Sequence, residues 1–325
     1  MLIVAKFGGS SLADPQALLR AANICREIRG RGRDLVVVVS AMGDTTDELV
    51  ALAQQISPRP SQREMDALTT TGEQQSAALM AICLESLGIK ALSLTGWQAG
   101  ILTDSSSSGS DIKLICPGRI EEAIARGAVA VVTGYQGFDT KGDITSLGRG
   151  GSDISAAALA AAMRADECRI YTDVAGIYTA DPRQLPQAVL MEQIDRRDML
   201  ALAQAGSQVL HPKAVELAMA NGLDMRLLSS LEPGPGSLVC SLKDSRRPNF
   251  AGVTRDREKG SLSIAGKAAS PRALSALLLM LAKEGLEIED VWLSPNLISL
   301  LPKTEHTGKV LALLHDRVIL PQYQS

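Results

Sequence analysis

The chain has 325 residues, with 33 Lys and Arg against 36 Asp and Glu for a formal charge of −3; 46% of it is hydrophobic and only 3% aromatic. That length allows one large domain or two, and the near-neutral charge argues against nucleic acid as the main partner, because neutralising phosphates takes a basic face. The apolar stock of Ala, Leu and Val suits helices packed on a mostly buried sheet, and the composition excludes disorder, collagen, disulfide scaffolds and membrane spans.

Residues 1–7 lead directly into a strand-like run with no basic segment or small-residue cleavage site, so no signal peptide is expected. Residues 2–7 and 35–40 are short aliphatic runs that predict buried strands, and between them residues 15–31 carry Leu18, Leu19, Ala22, Cys25 and Ile28 at helical spacing. Further strands are predicted at 89–94, 128–133, 168–172 and 225–228. Helices are predicted at 47–56, 61–87, 119–126, 152–165, 197–205 and 212–221. Such alternation argues for a mostly parallel α/β sheet with helices on both faces, in which ligands sit beyond the carboxyl ends of the strands.

Residues 229–249 contain Pro233-Gly234-Pro235-Gly236 and Arg246-Arg247-Pro248 and read as a connector. A second pattern follows: a strand at 261–265, a Leu-rich helix at 271–284, two strands at 290–293 and 297–301, a helix at 307–315 and a last strand at 318–320. That βαββαβ order over about 75 residues predicts a small ferredoxin-like domain. Cys25, Cys83, Cys116, Cys168 and Cys240 form no C-x-x-C pair, and His211, His306 and His315 are scattered. Reduced cysteines, a cytoplasmic setting and no protein metal site are therefore expected.

Several loops at strand ends carry polar residues in useful patterns. Lys6-Phe7-Gly8-Gly9-Ser10-Ser11 sets a lysine before two glycines and two hydroxyls. This suits either an ordinary strand-to-helix turn or a cradle in which backbone N–H groups approach phosphate oxygens while the lysine neutralises charge. It is not a P-loop, since the lysine precedes the glycines and G-x-x-x-x-G-K-[ST] is absent. In Gly148-Arg149-Gly150-Gly151-Ser152-Asp153, Arg149 offers a planar fork for a carboxylate, and Asp153 is placed either to orient Lys6 or simply to stabilise a first helical turn. The run from Tyr171 to Arg183 is dense in polar groups: Asp173 suits ribose hydroxyls, Tyr178 a base and Arg183 phosphates, although local turn capping explains such residues equally well. Glu73 suits a substrate ammonium or a solvated helix face, and residues 40–46 either line a site or cap a helix.

Together these residues resemble the aspartate kinases of the amino-acid-kinase fold. The similarity rests on KFGGSS at 6–11, VSAMGDTTDEL at 39–49, TTGEQQSAALM at 70–80, SLGRGGSD at 146–153, IYTDVAGIYTADPR at 170–183 and VLHPKAVELA at 209–218. The resemblance implies a catalytic domain at 1–230, a connector at 231–250 and an ACT-like regulatory or dimerisation domain at 251–325. It implies Lys6 and Asp153 as the catalytic pair, Gly8, Gly9 and Ser10 at the phosphates, and Thr172, Asp173, Tyr178 and Arg183 on ATP. Thr46, Glu73, Arg149 and Ser152 would hold the amino acid. The implied reaction is attack of the β-carboxylate of L-aspartate on the γ-phosphate of ATP, with Mg2+ carried by the nucleotide, in a cytoplasmic homodimer without nucleic-acid or membrane partners.

Three positions depart from the pattern: Ala175 and Gln208 beside the nucleotide loops, and Asp47 beside the amino-acid site. The larger departure is length, since these kinases usually carry two ACT modules where the last 75 residues leave room for one. The effector pattern after the first ACT helix is replaced by Val291-Trp292-Leu293-Ser294-Pro295-Asn296, so weak or absent feedback by lysine or threonine is expected. Two alternatives stay open: a kinase of the same fold for another amino acid, with Asp47 and Tyr135 as the features that would mark it, and a non-catalytic amino-acid-sensing subunit.

Overall fold

The computed structural model describes residues 1–105 and 109–324. In chain order the elements are β1 (Leu2–Phe7), α1 (Pro15–Gly30), β2 (Asp34–Val39), α2 (Thr45–Ile56), α3 (Gln62–Thr69), α4 (Thr71–Ser86), β3 (Ala91–Leu94), β4 (Ile101–Thr103), β5 (Ile112–Ile115), α5 (Gly118–Ala125), β6 (Val129–Thr133), β7 (Gln136–Phe138), β8 (Ile144–Ser146), α6 (Gly151–Ala162) and β9 (Glu167–Thr172). There follow β10 (Gln193–Asp195), α7 (Arg196–Gln204), α8 (Pro212–Ala220), β11 (Met225–Ser229), β12 (Ser237–Cys240), β13 (Gly252–Arg255), β14 (Leu262–Ala265), α9 (Pro271–Lys283), β15 (Ile288–Ser294), β16 (Leu297–Pro302) and α10 (Thr307–Leu314). The chain forms two compact units, one of Met1–Ala175 with Ala220–Pro235 and one of Gly176–Met219 with Gly236–Ser325. The polar run 170–183 is thus shared between them.

In the first unit a parallel sheet runs β11-β9-β1-β2-β6-β3. Leu35–Val39 of β2 and Val129–Val132 of β6 are wholly buried, the continuous apolar run expected of a strand covered on both faces. Side chains alternate across β1. Ile3, Ala5 and Phe7 enter a core with Leu18, Ala22 and Cys25 of α1 and Met80 and Leu84 of α4, whereas Lys6 turns to the other face, where α6 packs on β1. Asp14 caps α1, its carboxylate accepting the Ala17 N–H at 2.8 Å, and Pro15 starts the helix where a missing donor costs nothing. The Ala-rich α6 lets the helix approach the sheet closely.

Some expectations need correction. The single helix at 61–87 is two helices, α3 and α4, broken at Thr70, whose hydroxyl donates to the Asp66 carbonyl at 2.7 Å and satisfies a C-terminal helix group. A second sheet, β5-β4-β7-β8, was not expected at all. Its strands have three or four residues each, too short to show periodicity.

In the second unit β10 and β12 pair in parallel, so the connector contains a strand. The C-terminal sheet runs β13-β14-β16-β15, antiparallel throughout, with α9 and α10 contributing Leu277, Leu281, Val310 and Leu314 to its core. The arrangement fits an ACT-like domain with one change. Residues 318–320 are not a strand: a π-helical turn at His315–Ile319 and a 3-10 turn at Leu320–Gln322 end the chain's described part. The edge of β14 that a last strand would take is already paired with β13.

Candidate active site

The first unit carries a cleft of about 440 Å³ beyond the strand ends, lined by three loops and the starts of three helices. Lys6, at the end of β1, points into it with only 12% of its side chain exposed, and its Nζ lies 2.7 Å from Oδ1 of Asp153 in the first turn of α6. Thr46 and Asp47 of α2, Glu73 of α4, Tyr135, Arg149 and Ser152 complete the lining together with Gly9. Of the residues singled out in the sequence, Lys6, Gly9, Thr46, Glu73, Arg149, Ser152 and Asp153 thus line one cleft.

Gly9 answers specific crowding: a Cβ there would stand 2.9 Å from the Ala41 carbonyl oxygen, whereas one on Gly8 would meet Lys6 Nζ at an ordinary contact distance of 3.5 Å. The Gly9 carbonyl also accepts the Gly43 N–H at 3.1 Å, which joins the first loop to residues 40–46. Those residues line the cleft as well as leading into α2. Gly148 and Gly150 both hold positive φ, +73° and +69°, so the backbone on each side of Arg149 turns in a conformation that side chains disfavour and Arg149 is left exposed at the cleft mouth.

Glu73 carries the strongest electrostatic signal. It is 4% exposed; its Oε1 accepts the Ala41 N–H at 3.0 Å, while Oε2 is buried without a partner. Burial pushes its carboxyl up from 4.5 to about 7, and the Ala41 N–H offsets only part of that. A buried polar atom without a partner is costly, and this one belongs to a residue that lines the cleft. No sequence signal marks this; Glu73 reads equally as a solvated helix residue until the depth of α4 is known.

Gly8, two residues after Lys6, donates its N–H to the Tyr171 carbonyl at 3.2 Å. Ser10 is exposed in a 3-10 turn, and Thr172 and Asp173 leave the end of β9, the Thr172 hydroxyl donating to Asp173 at 3.0 Å. Tyr178 and Arg183 belong to the second unit, where Tyr178 forms a β-bridge with Leu190 and Arg183 is mostly exposed, 4.0 Å from Asp181. Two features beside the cleft carry no sequence signal: Gly134, where a Cβ would fall 2.6 Å from Ser152 Oγ, and the left-handed backbone of Tyr135 at φ +67°. Among the described residues no group of three or more His, Cys, Asp or Glu is placed to hold a metal ion, and no helix is long and apolar enough to cross a membrane.

The model of the amino acid kinase family matches residues 1–229. The chain is similar to an aspartokinase of Bacillus sp. (strain MGA3), 41% identical over 99% of this chain and 80% of that one. A crystal structure of aspartate kinase from Synechocystis superposes with a TM-score of 0.68 at 32% identity, covering 97% of this chain and 69% of that one. The E. coli aspartokinase III in complex with aspartate and ADP matches with a TM-score of 0.70 at 24% identity, over 97% and 83% of the two chains, a likeness of fold.

Proposed function

The chain belongs to the amino acid kinase family, and we propose that its cleft transfers the γ-phosphoryl group of ATP to the β-carboxylate of L-aspartate, giving 4-phospho-L-aspartate and ADP. What carries this reading is the convergence of Lys6, Glu73, Arg149 and Asp153 on one cleft at the strand ends. Phosphoryl transfer asks little covalent chemistry of a protein and depends on positioning and charge neutralisation. Lys6 is held by Asp153 and neutralises the transferring group. The glycine loop brings backbone N–H groups close to phosphate oxygens. Magnesium on the nucleotide supplies further charge neutralisation.

On the acceptor side, the exposed guanidinium of Arg149 takes the α-carboxylate as a bidentate pair, and the unpartnered Glu73 oxygen takes the α-ammonium. Thr46 and Ser152 complete the amino-acid site. Thr172, Asp173, Tyr178 and Arg183 are assigned to the nucleotide on the strength of the 170–183 motif. In this reading residues 1–230 are the catalytic domain, residues 231–250 the connector and residues 251–325 an ACT-like domain. The enzyme is a cytoplasmic homodimer.

Feedback by lysine or threonine is weak or absent. This reading rests on the replacement of the family's effector pattern by Val291-Trp292-Leu293-Ser294-Pro295-Asn296. An ADP-release assay with a panel of amino acids, plus hydroxamate trapping of the acyl phosphate, tests the whole reading. Release with aspartate is expected, unaffected by lysine or threonine near physiological concentration. Asp47 in the cleft favours one second reading, another amino-acid acceptor, and release only with such an acceptor would establish it.

The state of Glu73 sets a pH dependence. Only the ionised carboxylate pairs with an ammonium, and in the free enzyme Glu73 holds its proton up to about pH 7. Aspartate affinity should therefore rise with pH, being about tenfold weaker at one unit below that midpoint than on the plateau above it. Measurement of kcat/KM for aspartate from pH 6 to 8 checks this; a flat profile would remove Glu73 from the ammonium site.

A further inference from the structure

A second cavity of the first unit, of about 520 Å³, lies between α1, strands β9 and β11 and the Pro233–Pro235 turn. Its size is that of small-molecule sites, roughly 300–1,000 Å³. The strand register explains its lining. β9 and β11 are parallel neighbours with Arg169 beside Arg226 and, two residues on, Tyr171 beside Leu228. Residues two apart share a face, so a charged rung is followed by an apolar one. Across from them α1 presents Arg20, Ile24 and Ile28 at four-residue spacing, with Arg31 and Arg33 where the helix turns into β2.

The charges do not cancel. Glu167 bridges the two strand arginines, its Oε2 accepting from Arg169 Nε at 2.7 Å and its Oε1 from Arg226 Nε at 2.6 Å. That spends one negative charge on two cations; Arg169 also hydrogen-bonds the Tyr171 side chain and Arg226 donates to the Pro235 carbonyl at 3.3 Å, and both guanidinium groups line the cavity. Five arginines line the cavity against two glutamates, Glu27 and Glu232; with Glu167 the balance is +2. Among the described residues Arg20, Arg31 and Arg33 donate to no carboxylate. A cluster of arginines around an aromatic and aliphatic floor is what a flat apolar body with an anionic head requires.

The cavity also touches the phosphate loop. Ser230, on its wall, shares a hydrogen bond with Ser11 at 2.7 Å and donates its N–H to the Thr172 carbonyl at 2.8 Å. Tyr171, on its floor, stacks on Phe7 with ring centroids 4.7 Å apart and accepts the Gly8 N–H. Anything seated on Tyr171 and Ser230 therefore bears on the backbone that carries Gly8 and Ser11.

We propose that this cavity is a second ligand site for an anionic small molecule with a flat apolar body, whose head is taken by Arg31, Arg33, Arg169 and Arg226 and whose occupancy alters nucleotide affinity through Ser230 and Tyr171. The binding half stands apart from the kinase reading, because it is measured without turnover.

The probe is 8-anilinonaphthalene-1-sulfonate, titrated by calorimetry into the full chain with ADP and aspartate saturating. One saturable site is expected, weakened about tenfold in Arg33→Glu and likewise in Arg31→Glu, the loss of one charge-assisted contact each. The same inversion on an exposed arginine elsewhere, Arg272→Glu, should leave affinity unchanged. Equal affinity in all three variants, or no saturable binding, overturns the site. The second measurement is the Kd of ADP with and without saturating probe. A shift in the wild type that disappears in Arg33→Glu supports the coupling, and an unchanged Kd overturns it whatever the acceptor assay shows.

Discussion

Lys6→Ala is expected to lower kcat by about 1,000-fold or more while leaving the KM for aspartate within a few-fold of wild type. The residue is nearly buried at the end of a central strand and ion-paired at 2.7 Å to Asp153. In a site of this depth a fixed cation is worth far more than in water, and its loss does more than remove attraction. Asp153 is then left unpaired and repels the phosphates the site must bind. Breaking such a pair also costs stability, so the fold must be checked separately.

The double variant Lys6→Ala/Asp153→Asn separates the effects. Removing the stranded charge should return much of the melting temperature but none of the activity. Lys6→Arg should also fail to restore turnover, because a planar fork does not replace a compact ammonium beside the Gly8 backbone. The readouts are ADP release, hydroxamate formation and thermal melting. If kcat of Lys6→Ala stayed within tenfold of wild type, the proposed role of Lys6 would be wrong.

Glu73→Gln is expected to weaken aspartate binding by about 100-fold or more and yet to stabilise the empty protein near pH 8. The first effect follows from leaving a buried substrate ammonium without its counter-charge, which costs about 2–5 kcal/mol. The second follows from linkage. Glu73 titrates near 7 folded against 4.5 in its ordinary state. Between those values the folded state binds more protons than the unfolded one, so stability falls as pH rises. At pH 8 the wild type carries the full penalty, up to about 3 kcal/mol at 1.36 kcal/mol per pH unit, and the neutral glutamine does not. Below about pH 4 the two should melt alike. Thermal melting at pH 4, 6 and 8, together with KM for aspartate, checks both halves. A variant less stable than wild type at pH 8 would mean that the Ala41 N–H contact outweighs desolvation.

How much of this was legible in the residues depends on how local the cause is. The run Leu35–Val39 announces a strand buried on both faces because each of its residues is apolar in its own right. Asp14-Pro15 announces the start of α1 through a cap formed within three residues. The site motifs at 6–11 and 146–153 were readable for the same reason: each joins a strand or helix end to residues next to it in the chain. Strands β4, β5, β7 and β8 were not readable, since three or four residues pair with partners far along the chain and show no period of their own. Residues 318–320 read as a strand by composition, but β13 already holds the edge beside β14.

By itself the sequence determined the alternation of strand and helix, the mostly parallel class of the sheet, and which loops carry lysine, arginine, glycine and carboxylate at strand ends. These follow from periodicity and turn chemistry, which act over a few residues. Only the tertiary structure decided that Glu73 is buried with one oxygen unpartnered, that Lys6 meets Asp153 across 147 positions of chain, and that arginines from α1, β9 and β11 gather behind the phosphate loop. Burial, desolvation and charge pairing depend on what the rest of the chain places nearby, and no local pattern encodes that.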